Sequence, residues 1–210
     1  MPRPRAFDLD RVIDQAMAAF WRRGYGETSM ADIYAATGLK PGSLYGVVRG
    51  KEDLFRLAFD RYAEHFRATL PQAAEGLDAI AAWLETQRRL AVEDPQRRGC
   101  LIVNTTLERD VHAEATRALA QARLAEIRGF FLRHLAIARE RGEIARETDL
   151  DRQADALLGT VVAIMSLARA GADARTIANL ADAAIAPLRQ AAGRAGSSRD
   201  QRVGVGGVVE

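Results

Sequence analysis

The chain has 210 residues, 48% of them hydrophobic and 28% charged, which suits one globular domain or a small domain joined to a larger one. Aromatic residues make up 6% and the net charge is +2, so Ala and Leu dominate the apolar set and helices are favoured over strands. No run of 18 apolar residues occurs, none follows Met1-Pro2-Arg3-Pro4-Arg5, and Cys100 is the one cysteine; these features argue against a membrane span, a secretory leader and an internal disulfide, and point to a cytoplasmic protein.

Asp8 can cap a first helix in which Ile13, Ala16, Met17 and Phe20 recur at helical spacing, with Trp21 widening the stripe. Gly24 and Gly26 end it. Thr28-Ser29 is a second start signal, and Asp32 stands three residues after Ser29, the spacing of a capping box. Met30, Ile33 and Ala36 give a short helix closed by Gly38. Pro41 suits the first position of a third helix, where its missing N–H costs nothing. Leu44 and either Val47 or Val48 would face inward before Gly50. Two short helices joined by a four-residue turn containing glycine are the sequence form of a helix-turn-helix.

Lys51-Glu52-Asp53 opens a longer helix through Leu54, Phe55, Ala58, Tyr62 and Phe66. Further helices are expected over about 76–92 (Leu77, Ile80, Ala81, Trp83, Leu84) and 112–141 (Leu124, Ile127, Phe131, Leu135, Ala138). Between them Pro95 breaks the chain, and Cys100 to Leu107 form a short apolar segment. Gly142 ends the long helix, and Thr148 or Asp149 starts the next, with Ala154, Leu158, Val161, Met165 and Ala168. Asp173 caps a last helix with Ile177, Leu180, Ala184 and Leu188, in which Pro187 predicts a kink or an early end. From Gly193 the chain is rich in Gly, Ser and Arg without periodicity, and a disordered tail is expected.

The stretches Phe20-Trp21-Arg22-Arg23-Gly24-Tyr25-Gly26-Glu27-Thr28-Ser29-Met30, Gly38-Leu39-Lys40-Pro41-Gly42-Ser43-Leu44-Tyr45 and Gly50-Lys51-Glu52-Asp53-Leu54-Phe55 closely resemble the TetR family of bacterial regulators, over about residues 7–62. Gly99-Cys100-Leu101-Ile102-Val103-Asn104-Thr105 is similar to its AcrR-like branch. The resemblance implies an all-α homodimer: three DNA-binding helices over 1–50, a helical ligand-binding and dimerisation domain over 51–192, and the tail over 193–210. It also implies that the last two long helices form the subunit interface. Two departures stand out. Val48 occupies a position that is aromatic in most members, and Lys40 replaces a Ser or Thr cap.

Carried over residue by residue, the resemblance places Thr28, Tyr45 and Lys51 on phosphates, with Ser29 at the same helix terminus as Thr28. It places Lys40, Pro41, Gly42 and Ser43 at the start of the recognition helix. On the residues alone, Tyr45 fits half-buried packing and Lys51 a solvated helix start equally well. No Arg, Asn or Gln lies between 41 and 47, so direct base readout should be modest and shape should carry more of the specificity. The N-terminal asymmetry agrees with a DNA partner: residues 1–51 hold eight Lys/Arg against five Asp/Glu, the remainder 22 against 23. Arg3 and Arg5 could follow a minor groove.

Small residues Gly159, Ala163, Ser166 and Ala170 among large ones suit close helix approach at a dimer interface, or a plain core helix. Candidates for an effector cavity are Tyr62, Phe66, Trp83, Leu84, Cys100, Asn104, Phe130, Phe131 and Met165. No charged cluster stands among them, which favours an apolar or aromatic small-molecule effector. Cys100 beside Arg97 and Arg98 would be an electrophile or redox sensor if exposed, and a small core hydrophobe if buried. His65, His112 and His134 are scattered, no metal-binding spacing or phosphate loop occurs, and neither a cofactor nor an enzymatic activity is expected. The alternative function is a helical ligand-binding or interaction module that has lost DNA binding.

Overall fold

The computed structural model describes residues 7–44 and 48–187, and all regular structure among them is helical. In chain order the helices are α1 (Leu9–Arg23), α2 (Met30–Thr37), α3 (Lys51–Arg67), α4 (Gly76–Glu93) and α5 (Leu101–Leu107). A 3₁₀ turn (Arg109–Val111), α6 (Glu114–Glu140) and α7 (Leu150–Arg169) follow, and residues 174–187 are helical as well.

Local chemistry sets most of these boundaries. The Asp8 side chain accepts from the amides of Asp10 and Arg11 at the start of α1. Ser29 and Asp32 form a reciprocal capping box on α2. Asp149 caps α7 by accepting from the Arg152 amide, and Asp173 accepts from the Thr176 amide at 2.8 Å. Gly38, with φ 67°, turns the chain out of α2 in the left-handed conformation that favours glycine. Residues 174–187 remain helical through Pro187; Leu188 and the segment 193–210 lie outside the described residues.

Packing divides the chain into two compact units. The first takes the chain up to Thr69 together with Arg98–Leu124; the second takes Leu70–Arg97 and the chain from Ala125. A linear boundary at residue 50 cuts the first unit, because α3 packs along α1. The core of the first unit is Phe20, Ile33, Leu44, Leu54, Phe55 and Phe59, none more than 1% exposed. Each such side chain contributes about 1.5–3 kcal/mol relative to leaving it in water. Phe20 and Phe55 meet edge to face at 5.1 Å, and Arg61 on α3 joins Asp10 and Asp14 on α1.

In the second unit α4 packs on α7. Trp83 on α4 meets Phe130 and Phe131 of α6, with ring centroids at 5.1 and 5.3 Å. Arg128 on α6 reaches Asp151 at 2.7 Å and Asp155 at 2.6 Å on α7. Val161, Met165 and Ala168 are buried as the spacing predicts, but Leu157 is buried where Leu158 is half-exposed. The inward face of α7 thus keeps Ala154, Val161, Met165 and Ala168 of the predicted stripe and takes Leu157 in place of Leu158.

Candidate nucleic-acid interface

The segment from α1 to α3 presents the residues singled out for DNA in three different ways. Ser29 is exposed at the N-terminus of α2 and is its cap: its hydroxyl oxygen accepts from the Asp32 amide at 3.1 Å, and the Asp32 carboxylate accepts from the Ser29 amide at 2.8 Å. The Ser29 hydroxyl and amide, and then Arg23 at 2.7 Å, hold the Asp32 carboxyl down to about 2. Thr28 is different. It is fully buried and its hydroxyl donates to the Gly24 carbonyl at 2.7 Å. The cap expected at Thr28 or Ser29 therefore belongs to Ser29, and the Thr28 side chain closes the loop after α1 from inside.

Behind α2 the chain exposes Lys40, Pro41, Gly42 and Ser43, and returns to the core at Leu44 and Val48. Residues 41–44 form a hydrogen-bonded turn, with the Ser43 amide donating to the Lys40 carbonyl at 3.1 Å. The Val48 amide donates to the Leu44 carbonyl at 2.9 Å, a helical spacing. Tyr45 lies outside the described residues. Val48 is 3% exposed, so it takes an inward position although its side chain is smaller than the family's aromatic. The exposed residues Lys40 to Ser43 precede both buried positions, and Gly42 has φ 94°.

Lys51 begins α3. It is half-buried with its ammonium 4.1 Å from the centroid of the Tyr25 ring, a cation–π contact that orients the charge without neutralising it. Tyr25 sits in a polar and aromatic junction that has no local signature. Its amide donates to the Glu108 carboxylate at 2.9 Å. Its ring faces Phe55 at 5.0 Å and His112 at 4.6 Å. Burial, and then a hydrogen bond to Glu52, push the Tyr25 phenol well above its ordinary range. Pairings well beyond any helical repeat in sequence, from Lys51 and Phe55 to Glu108 and His112, make this junction, so periodicity could not find it. Arg49 is exposed beside Gly50, and its amide donates to the Asp53 carboxylate at 3.1 Å.

The effector candidates fall into both units. Tyr62, Phe66, Cys100 and Asn104 belong to the first, Trp83, Phe131 and Met165 to the second. In the first, Trp21 meets Tyr62 edge to face at 4.9 Å, and its indole N–H donates to the Gly99 carbonyl at 3.0 Å. The Asn104 amide donates to the Arg98 carbonyl at 2.9 Å, and its buried Oδ1 accepts nothing. Cys100 is fully buried, and burial pushes its thiol up despite the Tyr62 hydroxyl beside it. That is the environment of a core cysteine, opposite to that of a reactive thiolate. A half-open cavity of about 240 Å³ lies elsewhere in the same unit, lined by Thr105, Thr106, Arg109, Glu114, Arg117, Ala118 and Gln121. It includes none of the nine candidates. Among the described residues, no three His, Cys, Asp or Glu side chains are grouped to hold a metal ion, and no helix is long and apolar enough to cross a membrane.

A capped short helix, a glycine exit and an exposed turn anchored at Leu44 and Val48 define a helix-turn-helix of the kind bacterial regulators carry. Residues 12–58 match the bacterial regulatory proteins of the tetR family, and residues 76–184 match the tetracyclin repressor-like C-terminal domain. The chain is 31% identical to the HTH-type transcriptional repressor ComR of Escherichia coli K12, over 85% of this chain and 88% of that protein. The fold superposes with a TM-score of 0.78 on a TetR regulator of Chloroflexus aurantiacus, at 33% identity, covering 86% of this chain and 93% of the other. It does so equally, with a TM-score of 0.78, on a cysteine mutant of the TetR-family regulator CifR complexed with a 26bp operator duplex, at 28% identity, covering 87% and 97%. The protein belongs to the TetR family. It is a DNA-binding transcriptional regulator and not an enzyme.

Proposed function

We propose that the protein is a homodimeric repressor that holds a palindromic operator and leaves it when a small apolar or aromatic effector binds. The observation that carries the reading is the exposed turn at Lys40–Ser43, held between the capped α2 and the buried anchors Leu44 and Val48. ComR is a repressor by name and a cysteine mutant of CifR is complexed with operator DNA, which supports the same role here. In this reading Ser29, Lys51 and Tyr45 meet phosphates, Thr28 supports the loop that presents Ser29, and Lys40 to Ser43 face the major groove. Two reading heads about 34–36 Å apart would meet half-sites one helical turn apart.

The dimer reading has its own support in α7. Residues 156–168 contain no charged side chain, although Leu158, Val162, Ala163, Ser166 and Leu167 are half-exposed and Ala156 and Gly159 exposed. An uncharged helix face of that length is what a second subunit covers. For the effector, the aromatic group Trp83, Phe130 and Phe131 with Met165 supports an apolar ligand in the second unit. A differential affinity of about 1–3 kcal/mol between the two states of the dimer would change operator affinity 5- to 150-fold.

Selection from a random-duplex pool at two salt concentrations, with the oligomeric state measured in parallel, tests the reading. A palindrome whose binding falls steeply with salt is the expected result. A folded dimer that enriches no sequence, or a monomer that enriches a single half-site, overturns it.

A further inference from the structure

His112 follows the 3₁₀ turn and precedes α6. It is 4% exposed. Its ring centroid lies 4.6 Å from that of Tyr25 and 4.8 Å from that of Phe55, and those two rings also meet each other at 5.0 Å. Neither ring nitrogen has a hydrogen-bond partner. A neutral imidazole lacking partners packs as an aromatic disc, at the cost of a buried donor and acceptor left unmet. The protonated ring would have two donors and a full charge in the same place.

The groups that could receive that charge are already engaged. From α3, Glu52 accepts the Thr116 hydroxyl and interacts with the Tyr25 phenol. From the end of α5, Glu108 accepts the Tyr25 amide. Lys51, also from α3, adds a like charge 4.1 Å from the centroid of the Tyr25 ring. From α6, Arg117 donates to the His112 carbonyl at 2.8 Å and brings a second like charge. Arg109 and Asp110, on the turn that leads into His112, are exposed to solvent.

We propose that His112 is a proton switch for DNA binding: its protonation breaks the packing of the Tyr25 loop against the 108–116 segment and weakens the hold on the operator. An imidazolium must either stay unpaired in the core or take a carboxylate from the Tyr25 amide or the Thr116 hydroxyl. Both routes loosen the loop that leads into α2, and Tyr25 carries Lys51 with it. Burial, outweighing the attraction of Glu52 and Glu108, lowers the pKa of His112. The folded state therefore takes the proton less readily than the unfolded chain. The packing contributes its full stability above the usual histidine value near 6.5 and loses it as the pH falls through the depressed one. His134, buried and lowered in the same direction in the second unit, and exposed His65 are the other histidines.

The test is operator affinity of the full-length protein at fixed ionic strength, from about pH 7.5 down to about pH 5.5, for the wild type and His112→Phe, where one proton per subunit allows about tenfold per pH unit for each subunit and about a hundredfold for a dimer at most. The expected result is a wild-type affinity that falls about tenfold or more, while His112→Phe, which keeps the disc and cannot titrate, changes less than about threefold. A flat wild-type profile overturns the proposal, as does a His112→Phe profile that falls like the wild type. So does dimer dissociation that accounts for the loss, read by light scattering at each pH. Should His112→Phe fail to fold, nuclear magnetic resonance of the wild-type ring decides. An imidazole that stays neutral below its usual value, with Tyr25 signals moving in the same transition, supports the switch. A ring that titrates at or above that value, or leaves Tyr25 unmoved, overturns it.

Discussion

Two single positions show how differently residues of the DNA-binding segment carry their load. Gly24 ends α1 with φ 88° and ψ 163°, a region that is essentially glycine-only and costs any other residue on the order of 1–3 kcal/mol. A Cβ there would also overlap the Glu108 carboxylate, which must stay where it is to accept the Tyr25 amide. Ser29 only closes the capping box, and loss of such a cap costs about 1 kcal/mol. Gly24→Ala is therefore expected to destabilise the protein more than Ser29→Ala, by about 1–3 against about 1 kcal/mol, in reversible urea unfolding. Equal losses would mean that the loop after α1 relaxes freely and that Glu108 does not hold it.

At the scale of the element, affinity and specificity separate. The turn at 41–44 has only Ser43 as a polar side chain, whereas the positive charge of this region is carried by Lys51 and by exposed Lys40 and Arg49. Removing one phosphate contact lowers the slope of log affinity against log salt by about 1 and weakens all sequences alike. Lys51→Ala is expected to reduce that slope by about 1 per subunit with the preferred site unchanged. A changed site preference at constant slope would make Lys51 a reader, or the Tyr25 ring beneath it the true determinant. The same element shows what a sequence can disclose. Caps and glycine exits are local chemistry, so the ends of α1, α2 and α7 follow from Asp8, Ser29-Asp32, Gly38 and Asp149. Seven residues, among them the β-branched Ile102, Val103, Thr105 and Thr106, carry under two turns of periodicity, so α5 reads only as an apolar segment until it is seen folded. The Tyr25–Phe55–His112 junction joins three distant stretches, and no pattern within any one of them announces it. Thr28 and Ser29 look interchangeable as caps in the sequence; burial of one and exposure of the other separate them.

Across the whole molecule, the uncharged face of α7 is the proposed subunit interface, and physics says what its disruption should cost. Leu158, Val162, Ala163 and Ser166 share one side of the helix. A stable interface built on it must remove at least about 1,000 Å² from water. A charge placed at its centre would have to be desolvated without a partner, a cost of several kcal/mol in each copy. Val162 is half-exposed and belongs to the uncharged stretch, so Val162→Glu leaves the subunit's own core largely intact while charging the covered face. The expected outcome is a folded monomer by light scattering, with unchanged helical content. Its operator affinity should fall by about a hundredfold or more, because two linked heads gain roughly 10²- to 10⁴-fold over one. A variant that remains a dimer would move the interface off α7, most simply onto the helix at 174–187 alone. A monomer that keeps full affinity would show that each subunit reads its half-site independently and that spacing between heads adds nothing to recognition.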